Sequence, residues 1–204
     1  MASDSTIHFI LTGGTIDSHF DPTKDTAVPN VHSILPDYIS GLKLYEKCVF
    51  SEVCMKDSRE LTKADVSKIC TVINKSPHKR LIITHGTYTM PDTARCLEAN
   101  LKSKDKVVIF TGSMIPLLGF SPSDAPFSLG FSIAKSQELA PGVYICMNGR
   151  VFSPKETVPS SGAGTGSGRL PGLFVWGCFG LIERVGTPHR RHAPFGSARR
   201  CLPG

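Results

Sequence analysis

Short apolar runs alternate with amphipathic stretches along the first three quarters of the chain. Ile7 to Thr12 is a continuous apolar, β-branched run ending at Gly13-Gly14, the pattern of a buried strand that leads into a backbone turn. Val49 to Met55, Arg80 to Thr84, Val107 to Thr111 and Val143 to Met147 read as further strands. Between them, Thr62-Lys63-Ala64-Asp65 has the form of a capping box, and Val66, Ile69, Cys70 and Ile73 follow at helical spacing until Pro77 breaks the pattern. Helices are also predicted from about Pro91 to Leu101 and from Ala125 to Gln137. Residues 17 to 37 are polar and carry Pro22, Pro29 and Pro36 with several Asp and Thr, so they read as a mobile surface loop of the kind that acts as a lid.

Strands alternating with helices at this spacing predict an α/β fold: a doubly wound, mostly parallel sheet with helices on both faces. Ligands of such sheets lie at the carboxyl ends of the strands. Three predicted strand ends carry small hydroxyl and glycine residues, at Thr12 to Thr15, Thr84 to Thr89 and Thr111 to Ser113. After about Thr157 the pattern stops. Ten of the nineteen glycines fall beyond residue 160, and Ser160 to Gly168 reads as a flexible linker. One catalytic-type domain over residues 1–157 is therefore expected, followed by a Gly/Pro/Arg-rich, poorly ordered tail over 158–204 that reads as a divergent or alternatively spliced end.

The net charge of +6 changes this picture little once it is located. Residues 160 to 204 hold six arginines and one acid, so the basicity belongs to the tail and the body is nearly neutral. No nucleic-acid partner is indicated. No apolar stretch approaches the roughly 20 residues of a bilayer span, and the first residues lack a basic leader region, so no membrane partner and a cytoplasmic location are expected. Seven scattered cysteines without a C-x-x-C pair suggest reduced, mostly buried thiols, with no metal site.

A threonine hydroxyl attacks a carbonyl only when it is positioned and relieved of its proton, and the oxyanion it makes needs donors such as backbone N–H groups. Thr12-Gly13-Gly14-Thr15 taken alone is as well read as a tight turn or a phosphate cradle. The chain nevertheless lacks G-x-x-x-x-G-K and the full G-x-G-x-x-G pattern. The second element, Ile82-Ile83-Thr84-His85-Gly86-Thr87-Tyr88-Thr89-Met90 followed by Thr93-Ala94, shifts the weighing. Together with Thr12 to Asp17 it resembles the two signature motifs of the bacterial-type L-asparaginase family. The resemblance continues through Asp57 to Leu61, Phe110 to Met114, Asp124 to Phe127, Gly142 to Tyr144 and Met147 to Arg150, covering roughly residues 7 to 157. It is most like a short form without the family's C-terminal small domain.

The resemblance implies that Thr15 attacks a side-chain amide to give an acyl-enzyme, which water hydrolyses. It makes Thr87 the second active-site threonine, within a proton-handling set that includes an Asp and a Lys, and Ser58 the residue that binds a substrate α-carboxylate. Gly14, Asp57, Arg59, Gly86 and Tyr88 line the substrate site on the same ground. The segment after Ile16 matches the family's lid, with His19 or Phe20 near the place of its tyrosine. A small-molecule amide substrate and a homodimer are implied, and no cofactor, since the amide chemistry needs only nucleophile, base and oxyanion donors.

Two positions depart from the pattern. Tyr88 stands where the family motif has Asp, and a phenol does not supply that charge near neutral pH. The family's lysine falls at Pro159, leaving Lys155 as the nearby candidate. Two functions follow: an amidohydrolase acting on asparagine or a related amide, or a catalytically impaired binding protein that keeps the fold. Arg59 facing the pocket beside Tyr88 would favour a substrate other than asparagine. His85 reads as a packing and turn residue, Asp92 and Asp124 as helix caps, and His78, His189 and His192 as solvated.

Overall fold

A computed structural model describes residues 5 to 156; the tail, Pro159, His189, His192 and the boundary after residue 157 lie outside them. The chain order is β1 (Ile7–Gly13), β2 (Ser18–Asp21), β3 (Thr26–Pro29), α1 (Leu35–Gly41), β4 (Cys48–Lys56), α2 (Lys63–Lys75), β5 (Arg80–Thr84), α3 (Met90–Asn100), β6 (Val107–Thr111), α4 (Ala125–Glu138), β7 (Gly142–Met147) and β8 (Arg150–Phe152). Short 3-10 turns cover Thr15–Asp17 and Ser58–Glu60.

Six strands form one sheet in the order β4-β1-β5-β6-β7-β8, parallel except for the final β7–β8 pair. The predicted parallel α/β sheet is thus observed. Strand alternation sorts its side chains onto two faces. Ile10, Leu81, Ile83, Val108, Phe110 and Ile145 pack with Ile69 and Ile73 of α2 and Ala94 and Leu97 of α3. Phe9, Leu11 and Ile82 pack with Leu35 and Ile39 of α1 and Leu129 and Ile133 of α4. Each of these side chains is almost wholly buried, and burying one of the larger ones, Ala94 aside, stabilises the fold by about 1.5–3 kcal/mol.

Both ends of α2 are fastened to the sheet. The capping box is present: the Thr62 hydroxyl accepts from Asp65 N at 3.2 Å, and the Asp65 carboxylate accepts from Thr62 N at 2.9 Å. Asp65 also accepts from Lys56 Nζ at 2.8 Å, which ties the helix start to the end of β4. The Lys56 ammonium and the Thr62 donors hold the Asp65 carboxyl far below the usual carboxylate range. At the other end, the nearly buried Lys106 ammonium donates to Ile73 O at 2.9 Å and to Ser76 O, satisfying carbonyls that the last turn leaves without partners.

Several expectations are corrected. Residues 17 to 37 are not a plain loop but the antiparallel β2–β3 hairpin followed by the start of α1. Thr23 N and Thr23 Oγ1 both donate to the Asp21 carboxylate, and Asp25 adopts φ 50, so the polar run builds the turn of a hairpin. Pro36 occupies the first turn of α1, where a missing N–H costs nothing. Asp124 does not cap α4 with its side chain; its two oxygens accept from Met114 N and Ile115 N at 2.9 Å each. Asp92 likewise does not cap α3 but pairs with Arg95. His78 is half-buried, edge-on to the His8 ring at 5.9 Å. Among the five described cysteines only Cys146 is buried; Cys48, Cys54 and Cys70 are partly covered and Cys96 is exposed.

Candidate active site

The strand order reverses its direction of growth between β1 and β5: the chain steps from β1 outward to β4, then returns across β1 to add β5, β6 and β7. The crevice outside the carboxyl ends at such a reversal is where ligands of open α/β sheets bind. Here that crevice falls between Gly13-Gly14-Thr15 and His85-Gly86-Thr87.

Backbone contact holds these segments together. Thr12 Oγ1 donates to Thr84 O at 2.7 Å, joining the two strand ends, and Gly14 N donates to Lys56 O at 2.9 Å. Gly14 adopts φ 79, and a Cβ placed on it would overlap the Gly86 backbone nitrogen. A Cβ on Gly86 would stand 2.7 Å from Ser58 Oγ. Only glycine at both positions allows this approach. Gly14, Gly86 and Ser58 thereby meet at one point at the ends of three adjacent strands, with Thr15 and Thr87 next to the two glycines in the chain. Ser58 is buried there, Thr15 and Thr87 are half-buried, and Thr89 Oγ1 donates to Ser58 O at 2.8 Å.

Asp57 and Arg59 lie beside this point as a closed pair. The Asp57 carboxylate accepts from Arg59 N, Nε and Nη2 at 2.8–3.0 Å, and the guanidinium holds its carboxyl below the usual range. The same guanidinium lies 4.7 Å from the centre of the Tyr88 ring. Both Asp57 oxygens are thereby engaged, and the face that Tyr88 and Arg59 present is cationic and aromatic.

Lys155 is not brought to this group. β8 runs antiparallel to β7 and carries the chain back from the carboxyl edge, with Phe152 opposite Ile145. Lys155 follows in an exposed turn that Arg95 Nη1 anchors through Pro154 O at 3.0 Å. Among the described residues, no charged side chain hydrogen-bonds Thr15 or Thr87. His85 is fully buried, donates from Nδ1 to Gly86 O at 2.7 Å and stands edge-on to Phe110 at 5.9 Å. Burial pushes its imidazole down to about 4, so it is a neutral ring that holds the turn, as the sequence suggested.

Sequence reasoning missed Asp17. Two residues beyond Thr15 and fully buried, it accepts from Asn30 Nδ2 at 3.1 Å and Ile34 N at 3.0 Å. It therefore ties the end of the hairpin and the start of α1 to the turn that carries Thr15. Its position at the start of a polar run with further acids at Asp21 and Asp25 gave no local signal that it is buried. Also missed was the loop after β6, whose Met114, Ile115 and Phe120 wall a cavity of about 480 Å³ beside Thr15. A longer groove of about 780 Å³ runs from Ser58 and Thr89 between α2 and α3. Among the described residues no group of three or more His, Cys, Asp or Glu side chains could hold a metal ion, and no helix is long and apolar enough to cross a membrane.

The family model described as Asparaginase, N-terminal, matches residues 6–162. L-asparaginase 2 of Escherichia coli is 29% identical over 200 residues, covering 91% of this chain and 56% of the relative. Probable L-asparaginase 1 of Schizosaccharomyces pombe is 25% identical over 79% of this chain and 47% of its own length. Among solved structures, a probable cytoplasmic L-asparaginase from Campylobacter jejuni superposes with a TM-score of 0.63 at 24% identity, over 78% of this chain and 50% of that one. L-asparaginase I from Vibrio cholerae gives 0.62 at 25% identity, over 76% and 48%. The chain thus spans about half the length of the relatives it matches.

Proposed function

The chain belongs to the asparaginase family, and we propose that it is an amidohydrolase in which Thr15 attacks the side-chain amide of asparagine or a related compound. The observation that supports this reading is the close approach of Gly14 to Gly86, and of Gly86 to Ser58, at the sheet's reversal point, next to Thr15 and Thr87 in the chain. In the proposed reaction Thr15 Oγ1 bonds to the amide carbon while the C–N bond breaks, and ammonia leaves with the threonine proton. Water then cleaves the ester, releasing the acid and restoring the hydroxyl. Ser58 binds the substrate carboxylate, and the backbone of the Gly86–Thr87 turn supports the oxyanion. Residues 1–157 form the domain that carries this chemistry, working in the cytoplasm and as a homodimer.

A second reading is favoured by one specific arrangement. Tyr88, with the Arg59 guanidinium 4.7 Å from its ring, stands where the motif has a carboxylate, and Lys155 is exposed. Loss of one member of a proton-transfer set costs on the order of 10⁴-fold in rate, so a chain that binds amides with little turnover fits the same site.

Ammonia release from L-asparagine by the purified chain separates the two readings, beside Thr15→Ala and Tyr88→Asp. The first substitution is expected to abolish turnover and the second to raise it. A folded chain whose turnover survives Thr15→Ala overturns the assignment of the nucleophile, and no turnover in any variant overturns the hydrolase reading.

A further inference from the structure

Thr15 stands between two unlike environments. Toward Ser58, Gly86 and Thr87 the surroundings are hydroxyls and backbone, with the Arg59 guanidinium beyond. On its other side lies the cavity of about 480 Å³, walled by Phe20 of β2 and by Met114, Ile115, Phe120 and Pro122 of the loop after β6. No ionisable side chain lines that cavity. Phe20 and Phe120 are 46% and 39% exposed and meet edge to face at 6.3 Å. Two half-exposed aromatic rings flanking a reactive hydroxyl are an apolar surface left open to a ligand.

This wall is built to a fixed register with Thr15. Asp124 holds Met114 N and Ile115 N, and Ser113 Oγ and Ser123 Oγ both donate to Ile115 O. Leu117 N donates to Ile16 O at 3.2 Å, which joins the loop to the turn that carries the hydroxyl. These bonds fix the wall after β6, with Met114, Ile115 and Phe120, relative to the turn that carries Thr15.

Two arms leave the carbon that Thr15 attacks: the acyl chain and the departing amine. The polar side suits an acyl chain that ends in a carboxylate, so the amine points into the apolar cavity. Ammonia is far smaller than that space and gains nothing from aromatic walls. We infer that the cavity between Phe20 and Phe120 is a subsite for an alkyl or aryl substituent on the amide nitrogen, with Phe120 a specificity-determining residue. This inference rests on the hydrolase reading for its chemistry. The Thr15 Oγ1–C bond forms, the C–N bond breaks, and the amine R-NH2 leaves with the threonine proton. Water then cleaves the ester to the free acid and restores the hydroxyl.

The test compares L-asparagine with its β-anilide on the purified full chain. Burial of a phenyl ring is worth about tenfold to a hundredfold in binding. The ratio of kcat/KM for the anilide to that for asparagine should therefore fall about tenfold in Phe120→Ser, and Thr15→Ala should stop release of both aniline and ammonia. Binding is measured separately by calorimetry in the Thr15→Ala chain, where the anilide should bind about tenfold tighter than asparagine. Adding Phe120→Ser should erase that difference, with circular dichroism confirming the fold. An unchanged ratio, or equal binding of the two amides, overturns the subsite and leaves the hydrolase reading intact. Phenyl-dependent binding without turnover of either amide upholds the subsite and overturns the hydrolase reading.

Discussion

Acidification should cost this fold about 3 kcal/mol through one imidazole. His85 is fully buried, its Nδ1 is committed to Gly86 O, and its Nε2 has no partner among the described residues. Adding a proton at Nε2 would place a charge in a fully buried position with no acceptor among the described residues, and burial accordingly lowers the imidazole from its ordinary 6.5 to about 4. The unfolded chain takes up this proton first as pH falls, so the contribution is complete above pH 6.5 and is lost between there and about pH 4. At ~1.36 kcal/mol for each tenfold change in proton affinity, the loss between about pH 7 and pH 4 comes to about 3 kcal/mol. His8, also lowered by burial, and the carboxylates add their own losses on acidification. The contrast is therefore drawn against His85→Asn, which keeps an amide donor near the Nδ1 position and does not titrate. Urea unfolding of both proteins at half-unit steps from about pH 7 to pH 4 should show the unsubstituted chain losing about 3 kcal/mol more than the variant. Parallel curves would refute the argument, and with it the full burial of His85.

Thr62→Ala removes one half of the α2 capping box and should lower stability by about 1–2 kcal/mol, read as a shift of the urea midpoint at constant slope. Lys106→Met leaves Ile73 O and Ser76 O without their shared donor and should cost about 1–3 kcal/mol, measured by the same unfolding. Gly14→Ala meets both a left-handed φ and the Gly86 backbone, so a loss of at least about 2 kcal/mol is expected by thermal unfolding; a neutral result would contradict the close approach of the two strand ends.

The sequence was most legible where strands are buried on both faces. Arg80–Thr84 and Val107–Thr111 are observed with the bounds that their apolar runs predict, and β1 and β7 extend theirs by one residue, because a strand covered on both sides must be apolar throughout. The β2–β3 hairpin escaped for the opposite reason: His19 and Phe20 are exposed, and no alternation marks a ribbon with little core contact. Pro36 looked like a breaker, although proline in a first turn starts a helix as readily as it ends one. The short β8 was announced only by Asn148-Gly149, whose φ values of 51 and 72 are those of a tight hairpin turn. Thr15, Ser58, Gly86 and Thr87, proposed from the motifs, do lie just beyond the carboxyl ends of β1, β4 and β5. The closed Asp57–Arg59 pair, the buried Asp17 and the outward turn of Lys155 depend on contacts between segments far apart in the chain, which no local pattern encodes.

The glycine junction also divides what the chain can vary from what it cannot. Gly14 and Gly86 meet through main-chain atoms, so the alignment of Thr15 with Ser58 and Thr87 does not depend on which side chains surround it. Position 88, at the rim of that frame, can therefore change its side chain without moving Thr15. A lineage built on such a junction can lose, weaken or redirect its activity by single substitutions while its architecture persists. In such proteins, fold and chemistry are inherited separately.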